Sequence, residues 1–144
     1  MTATTSRRVD AAATRRVADV MTRRLVTVGP EDTLLAAWEL LSRSDFRHLP
    51  VVGNDGRVLA VVDECLLAAE WMSAPLAAGR RRRIGEFMPQ RVHCVHVDAP
   101  LGRVAEIMAA ERATCVPVVD DGMHLVGLVT DVDIVRSVAA EMSR

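Results

Sequence analysis

The sequence predicts an α+β fold: two copies of a β-α-β-β-α unit packed sheet to sheet with pseudo-two-fold symmetry. Three observations carry that expectation. Sliding the chain against itself by 67 residues aligns 17–66 with 84–133 without a gap. Met21 then falls on Met88, Arg24 on Arg91, Val28 on Val95, Leu34 on Leu101, Glu39 on Glu106, and Pro50-Val51-Val52 on Pro117-Val118-Val119, which marks an internal repeat. Within each copy, β-branched runs alternate with stretches whose apolar residues recur at three- and four-residue spacing. Finally, each copy has strands that are apolar on both faces and is marginal alone on surface-to-volume grounds, so two sheets need each other for cover.

The elements follow in order. Residues 1–9 are polar and small, and are expected to form a disordered tail. Repeat 1 spans 10–73, a linker 74–83, and repeat 2 spans 84–144. Each repeat opens on a short amphipathic piece, Val17–Met21 or Ile84–Met88. Leu25–Val28 reads as a strand ended by Gly29-Pro30. Glu31-Asp32-Thr33 opens a helix that uses Leu34, Leu35, Trp38, Leu41 and Phe46. His48–Val52 is a second strand, Gly53-Asn54-Asp55-Gly56 a tight turn, and Val58–Val62 a third strand. Asp63 caps a helix through Leu66, Leu67 and Trp71. Repeat 2 gives a strand over Val92–Val97, a helix over about 100–112 and a strand over Cys115–Val119. A turn at Asp120-Asp121-Gly122, a strand over Leu125–Val129 and a helix from Thr130 complete it. Pro75 and Gly79 punctuate the linker, and its Arg80–Arg83 run is expected to stay in water.

Composition narrows the function. The chain has 144 residues, 50% apolar, 26% charged and 3% aromatic, with net charge −1; collagen, disulfide scaffolds and disordered tails are excluded. A pI of about 6.4 argues against a nucleic-acid binder, which is usually strongly basic. All 18 basic residues are arginine, so Schiff-base and P-loop lysine chemistry is absent. No apolar stretch approaches the roughly 20 residues needed to span a bilayer, and Met1–Arg8 has no secretory pattern. Cys65, Cys94 and Cys115 lack CxxC spacing and fit buried thiols in a reducing compartment. The expectation is a soluble cytoplasmic protein. No GxSxG, HExxH, Walker or dinucleotide fingerprint occurs, which argues against an enzyme.

Asp19-Val20-Met21-Thr22, a Thr-Val strand, Arg47-His48-Leu49-Pro50-Val51-Val52 and Gly127-Leu128-Val129-Thr130-Asp131-Val132-Asp133 occur in that order. Together they resemble a tandem pair of cystathionine β-synthase (CBS) domains, a Bateman module, over about residues 12–142. The resemblance implies a regulatory module that needs no cofactor and binds adenosine-type ligands in clefts between the repeats. It also implies a homodimer acting on a regulated partner whose identity the sequence does not give.

In that family Gly-h-h-Thr/Ser-x-x-Asp, with h apolar, reads ribose. Repeat 2 keeps the motif in Gly127, Thr130 and Asp133. Thr130 ends a strand and Asp133 lies one turn into the following helix, so both side chains face one cleft. A carboxylate accepts both ribose hydroxyls, in bonds of about 1.5–3 kcal/mol each, and Gly127 lets a ligand approach the backbone. The same four residues also read as a helix cap, and the two roles can coexist. In repeat 1 the stretch is Ala60-Val61-Val62-Asp63-Glu64-Cys65-Leu66, and Leu66 cannot hold a diol. By the family's geometry the repeat-2 cleft is lined by Val26, Phe46 and Arg47 with Thr114, Cys115 and Leu128. Leu128 and Val26 sandwich or edge-bond adenine, and Arg47 meets a phosphate. One arginine before a neutral wall favours AMP or another adenosine derivative over ATP. The alternative is a ligand-free CBS-pair module for dimerisation or protein interaction.

Two further clusters have bland readings. His93, Cys94 and His96 look like metal ligands in linear order, but strand alternation points His93 and His96 to opposite faces, so no metal site is expected. Met72, Met88, Met108, Met123 and Met142 read as core or dimer fillers.

Overall fold

The computed structural model describes residues 2–73 and 80–144. They form two compact units that do not follow the repeat boundaries. One joins the stretch ending at Leu25 to His93–Arg144; the other is Val26–Val92. Each repeat therefore gives its opening arm to the unit that holds the other repeat's hairpin.

In the Val26–Val92 unit, the strand expected at Leu25–Val28 is reduced to one parallel bridge between Val28 and Val51. Val28 donates its amide to Pro50 O at 3.0 Å and accepts from Val52 N at 2.8 Å. Immediately afterwards the Gly29 amide turns onto Asp32 Oδ2 at 2.7 Å, which ends the pairing. Thr33 caps the helix that follows, Leu34–Ser42, by accepting from Ala36 N at 3.1 Å.

Chain-order labels are as follows: α1 is Ala3–Thr14, α2 is Leu34–Ser42, β1 is His48–Val52, β2 is Val58–Asp63 and α3 is Glu64–Ser73. Thr33 thus caps α2, which buries Leu34, Ala37 and Leu41 and stops before Phe46. Phe46 packs on the core from outside the helix. β1 and β2 pair antiparallel, with Leu49 opposite Val62 and Val51 opposite Ala60. Their turn needs Gly56, which sits at φ 83°, a region where glycine has no Cβ penalty. Asp63 Oδ1 accepts from Leu66 N at 2.8 Å and so caps α3 as expected.

The core of this unit is closed by repeat 2's arm. Ile84, on the short helix α4 (Ile84–Phe87), is fully buried among Val28, Leu34 and Val51. Backbone bonds Leu34 N to Arg82 O at 2.8 Å and Ile84 N to Asp32 O at 2.9 Å hold the arm down.

Pro75 and Gly79 lie outside the described residues; in the arginine run Arg80, Arg81 and Arg83 are exposed, and only Arg82 departs from the expectation. Arg82 does not stay in water: it is half-buried, with Nη1 2.7 Å from Glu70 Oε2 and Nε 3.6 Å from Glu86, over the Phe87 ring at 5.6 Å. The Arg80 guanidinium lies 5.6 Å over Trp71, whose ring centroid is 6.3 Å from that of Trp38. Arg82 packs because the Phe87 ring and two carboxylates surround it.

In the other unit the expected tail is helix instead. Thr2 caps α1, which buries Ala12, and its polar sequence is stabilised by docking. A Cβ on Gly102 would lie 3.3 Å from Ala13 Cβ, so the two backbones approach closely. Arg8 Nη1 donates to Met142 O at 2.8 Å. A 3₁₀ turn, Val17–Asp19, follows. The strand expected over Val92–Val97 is only β3, Val95–His96, parallel to β4, Cys115–Val119. α5 is Leu101–Glu111, β5 is Leu125–Thr130 and α6 is Asp131–Met142. β4 and β5 pair antiparallel, with Val116 opposite Val129 and Val118 opposite Gly127. In their turn, Asp120 Oδ1 accepts from the Gly122 and His124 amides, each at 2.9 Å. Those bonds hold the Asp120 carboxyl below its ordinary range. The left-handed position is not Gly122 but Met123, at φ 66°, which aligns with Gly56.

Repeat 1's arm closes this core: Val17 and Met21 are buried among Val104, Val116 and Val129. Thr22 and Leu128 exchange both backbone bonds, at 2.8 and 3.0 Å. A Cβ at Gly127 would lie 2.5 Å from Met21 Sδ and 2.9 Å from Met21 Cγ. Gly127→Ala is therefore expected to lower unfolding stability by about 1–3 kcal/mol through overpacking. In a denaturant double-mutant cycle the penalty should largely vanish in the Met21→Ala background.

Candidate functional site

The junction between β5 and α6 gathers the polar residues that the sequence singles out in repeat 2. Thr130 leaves the sheet in extended conformation, and its Oγ1 accepts from Asp133 N at 3.3 Å. Asp133 Oδ2 accepts in return from Thr130 N at 2.9 Å. This reciprocal capping box fixes both side chains at the head of α6. Cys115 pairs with Thr130 across the sheet, and Thr114 O accepts from Asp131 N at 3.0 Å. Thr114 is exposed and Cys115 buried beside the same helix start.

Those bonds decide what the junction can hold. The amides of Asp131, Val132 and Asp133 are all occupied, by Thr114 O, Asp131 Oδ1 and Thr130 Oγ1. A helix start attracts phosphate through unpaired amides; here they are paired, and Asp131 and Asp133 add negative charge. Asp133 Oδ1 takes no hydrogen bond among the described residues, and each carboxylate oxygen carries two acceptor positions. The half-buried carboxylate is therefore equipped to accept from neutral hydroxyl donors.

Two expected roles need correction. The space above Gly127 is filled by Met21, so the missing Cβ serves packing of the arm and not approach by a ligand. Leu128 cannot edge-bond a base through its backbone, because Thr22 takes both its amide and its carbonyl, and its side chain is buried. Val26, Phe46 and Arg47 belong to the other unit, where Val26 and Phe46 are half-buried against its core and Arg47 is exposed. In repeat 1 the matching junction has Leu66 packed against the core where repeat 2 has Asp133.

Sequence reasoning missed a polar ridge on α6. Asp133, Ser137 and Glu141 recur every four residues and share a face. Ser137 is 3% exposed and Glu141 8%. Arg15 meets both, with Nη1 to Ser137 Oγ at 3.3 Å and Nη2 to Glu141 Oε1 at 3.2 Å. The available signal was the internal repeat itself, which puts Arg15 on Arg82 and Ser137 on Glu70.

The histidines are engaged separately. His96 Nδ1 accepts from Asp98 N at 3.1 Å, which leaves Nε2 to donate to Asp121 Oδ1 at 2.6 Å. His93 Nε2 lies 3.4 Å from Glu111. Among the described residues no three His, Cys, Asp or Glu side chains gather as a metal site. No helix among them is long and apolar enough to cross a membrane.

Comparison with known proteins gives a consistent result. A family model described as CBS domain matches residues 17–65 and 84–140. The chain is 30% identical over 120 residues to L-aspartate semialdehyde sulfurtransferase of Methanocaldococcus jannaschii, covering 83% of this chain and 22% of that one. The chain spans 45% or less of the length of the first curated relatives it matches. The structure of the CBS domain pair of protein MJ0100 with 5′-methylthioadenosine and S-adenosyl-L-methionine matches at TM-score 0.77 and 28% identity, over 88% of this chain and 98% of that one. That of CBSX2 in complex with AMP matches at TM-score 0.77 and 26% identity, over 90% and 98%.

Burial pushes the Cys94 thiol up to about 11, so it stays protonated at neutral pH, whereas Cys65 is exposed at the start of α3. Because the thiolate is the nucleophile, iodoacetamide at pH 8 is expected to modify Cys65 well before Cys94, as peptide mass spectrometry over time will show.

Proposed function

This chain belongs to the CBS domain family, and from that premise we propose that it is a regulatory, non-catalytic module that senses an adenosine-containing metabolite at the β5–α6 junction and modulates a partner protein. The observation that carries the reading is Asp133: its carboxylate is fixed by the capping box yet keeps acceptor positions for a diol. Relatives of similar fold at 26–28% identity hold AMP, or 5′-methylthioadenosine and S-adenosylmethionine, which supports a ribose-bearing ligand. The occupied amides at the head of α6 favour a nucleoside or AMP over ATP, since that helix start offers a phosphate nothing.

Isothermal titration with AMP, 5′-methylthioadenosine, S-adenosylmethionine and ATP tests the reading. Asp133→Asn keeps an oxygen to cap Thr130 N but loses the charge. It is expected to weaken binding at least about tenfold, the value of a hydrogen bond to a charged group, with little change in Tm. Affinity that survives Asp133→Ala intact sinks the ribose role.

A second reading is a ligand-free dimerisation or interaction module, and the surface of α6 favours it. Val132 and Val135 are 49% and 65% exposed, one turn apart, on a helix whose other face is buried. Under this reading the native chain sediments as a homodimer and Val135→Glu converts it to monomer. A native chain that is already monomeric removes the reading.

A further inference from the structure

One residue outside the junction meets the buried polar face of α6. Arg15 ends α1 and turns its guanidinium onto Ser137 and Glu141, two buried polar groups that the Arg15 side chain satisfies. Those groups lie four and eight residues beyond Asp133 on the same face of α6. A few residues later in the chain, Thr22 and Met21 clamp Leu128 and Gly127, two and three residues before Thr130. One continuous segment therefore holds the strand that leads into the junction and the helix that leaves it. Along its course, Leu101 N donates to Arg15 O at 2.7 Å and Val17 N to Ala99 O at 2.9 Å. The pattern occurs twice in the molecule. Arg82, 67 residues on, faces Glu70, the position that aligns with Ser137, and its carbonyl accepts from Leu34 N as that of Arg15 accepts from Leu101 N.

We propose that Arg15 is a positioning residue for the β5–α6 junction, and that the segment from α1 to Thr22 is the element through which occupancy of that junction is communicated. The proposal rests on the reading of Asp133 as a ligand group, and it places the ligand-responsive surface in the N-terminal segment. The reasoning is reciprocal. If docking of the segment sets the angle at which α6 presents Asp133, then a ligand held by Asp133 must tighten docking by the same factor.

The test pairs hydrogen exchange with titration on the full chain, using AMP and S-adenosylmethionine as probes. Without ligand, Arg15→Met is expected to speed exchange of the Gly127–Ser137 amides at least about tenfold while leaving Val58–Leu67 unchanged. Arg15→Lys should restore most of the protection. With a probe that binds, Arg15→Met should weaken affinity by about tenfold, within the ordinary range of coupling between sites, and the probe should slow exchange across residues 3–22. Unchanged exchange at Gly127–Ser137 overturns the positioning role, and protection confined to residues 125–137 overturns the communicating role. If neither probe binds, the reading of Asp133 fails, and the ligand-free exchange still decides the role of Arg15. Should Arg15→Met fail to fold, Ser137→Ala removes one of its two partners and is judged by the same exchange criterion.

Discussion

Neither hairpin in this molecule closes its own core. Val17 and Met21 complete the core of repeat 2, and Ile84 completes that of repeat 1. A unit of this size buries a smaller fraction of its surface than a larger domain does and is marginal alone; the missing piece of each core comes from the opposite repeat. The rest of the architecture follows from this exchange. The Gly127 position has no side chain because Met21 occupies the space, and the Leu128 backbone is paired because Thr22 lies beside it.

The junction inherits its chemistry from the same arrangement. With β5 held by the arm and α6 held through Arg15, Thr130 and Asp133 are fixed between two anchored elements. The capping box satisfies the backbone of the helix start and at the same time orients a carboxylate with acceptor capacity left over. Under the proposed function, the structural and functional readings of these residues are two uses of one geometry. Repeat 1 keeps the structural use alone: Asp63 caps α3, and Leu66 turns into the core.

Much of this was legible in the sequence, and what was not has identifiable causes. β1, the hairpin turns, α2 and the Asp63 cap followed from periodicity and turn residues, which act locally. Leu25–Val28 and Val92–Val97 carry the β-branched composition of strands, yet pairing is a tertiary property, and in the structure each keeps only one or two paired residues. α1 was missed because Ala3–Thr14 has little apolar periodicity of its own and is held by small-residue contact and arginine bonds to distant helices. Gly127 was assigned to a ligand because sequence shows that a Cβ is absent but not what fills the space. Arg15, Ser137 and Glu141 were overlooked because 122 and 126 residues separate the arginine from its partners.

The two units differ in chain continuity. Val26–Val92 is one unbroken stretch, whereas its counterpart is assembled from two stretches that flank it. Closing a loop of that length carries an entropic cost that contacts repay only once it is shut. During synthesis the central stretch can gather as soon as it leaves the ribosome, while the first two dozen residues must wait, unburied, for the last third of the chain. Connectivity thus favours the unbroken unit over the interrupted one in the order of assembly.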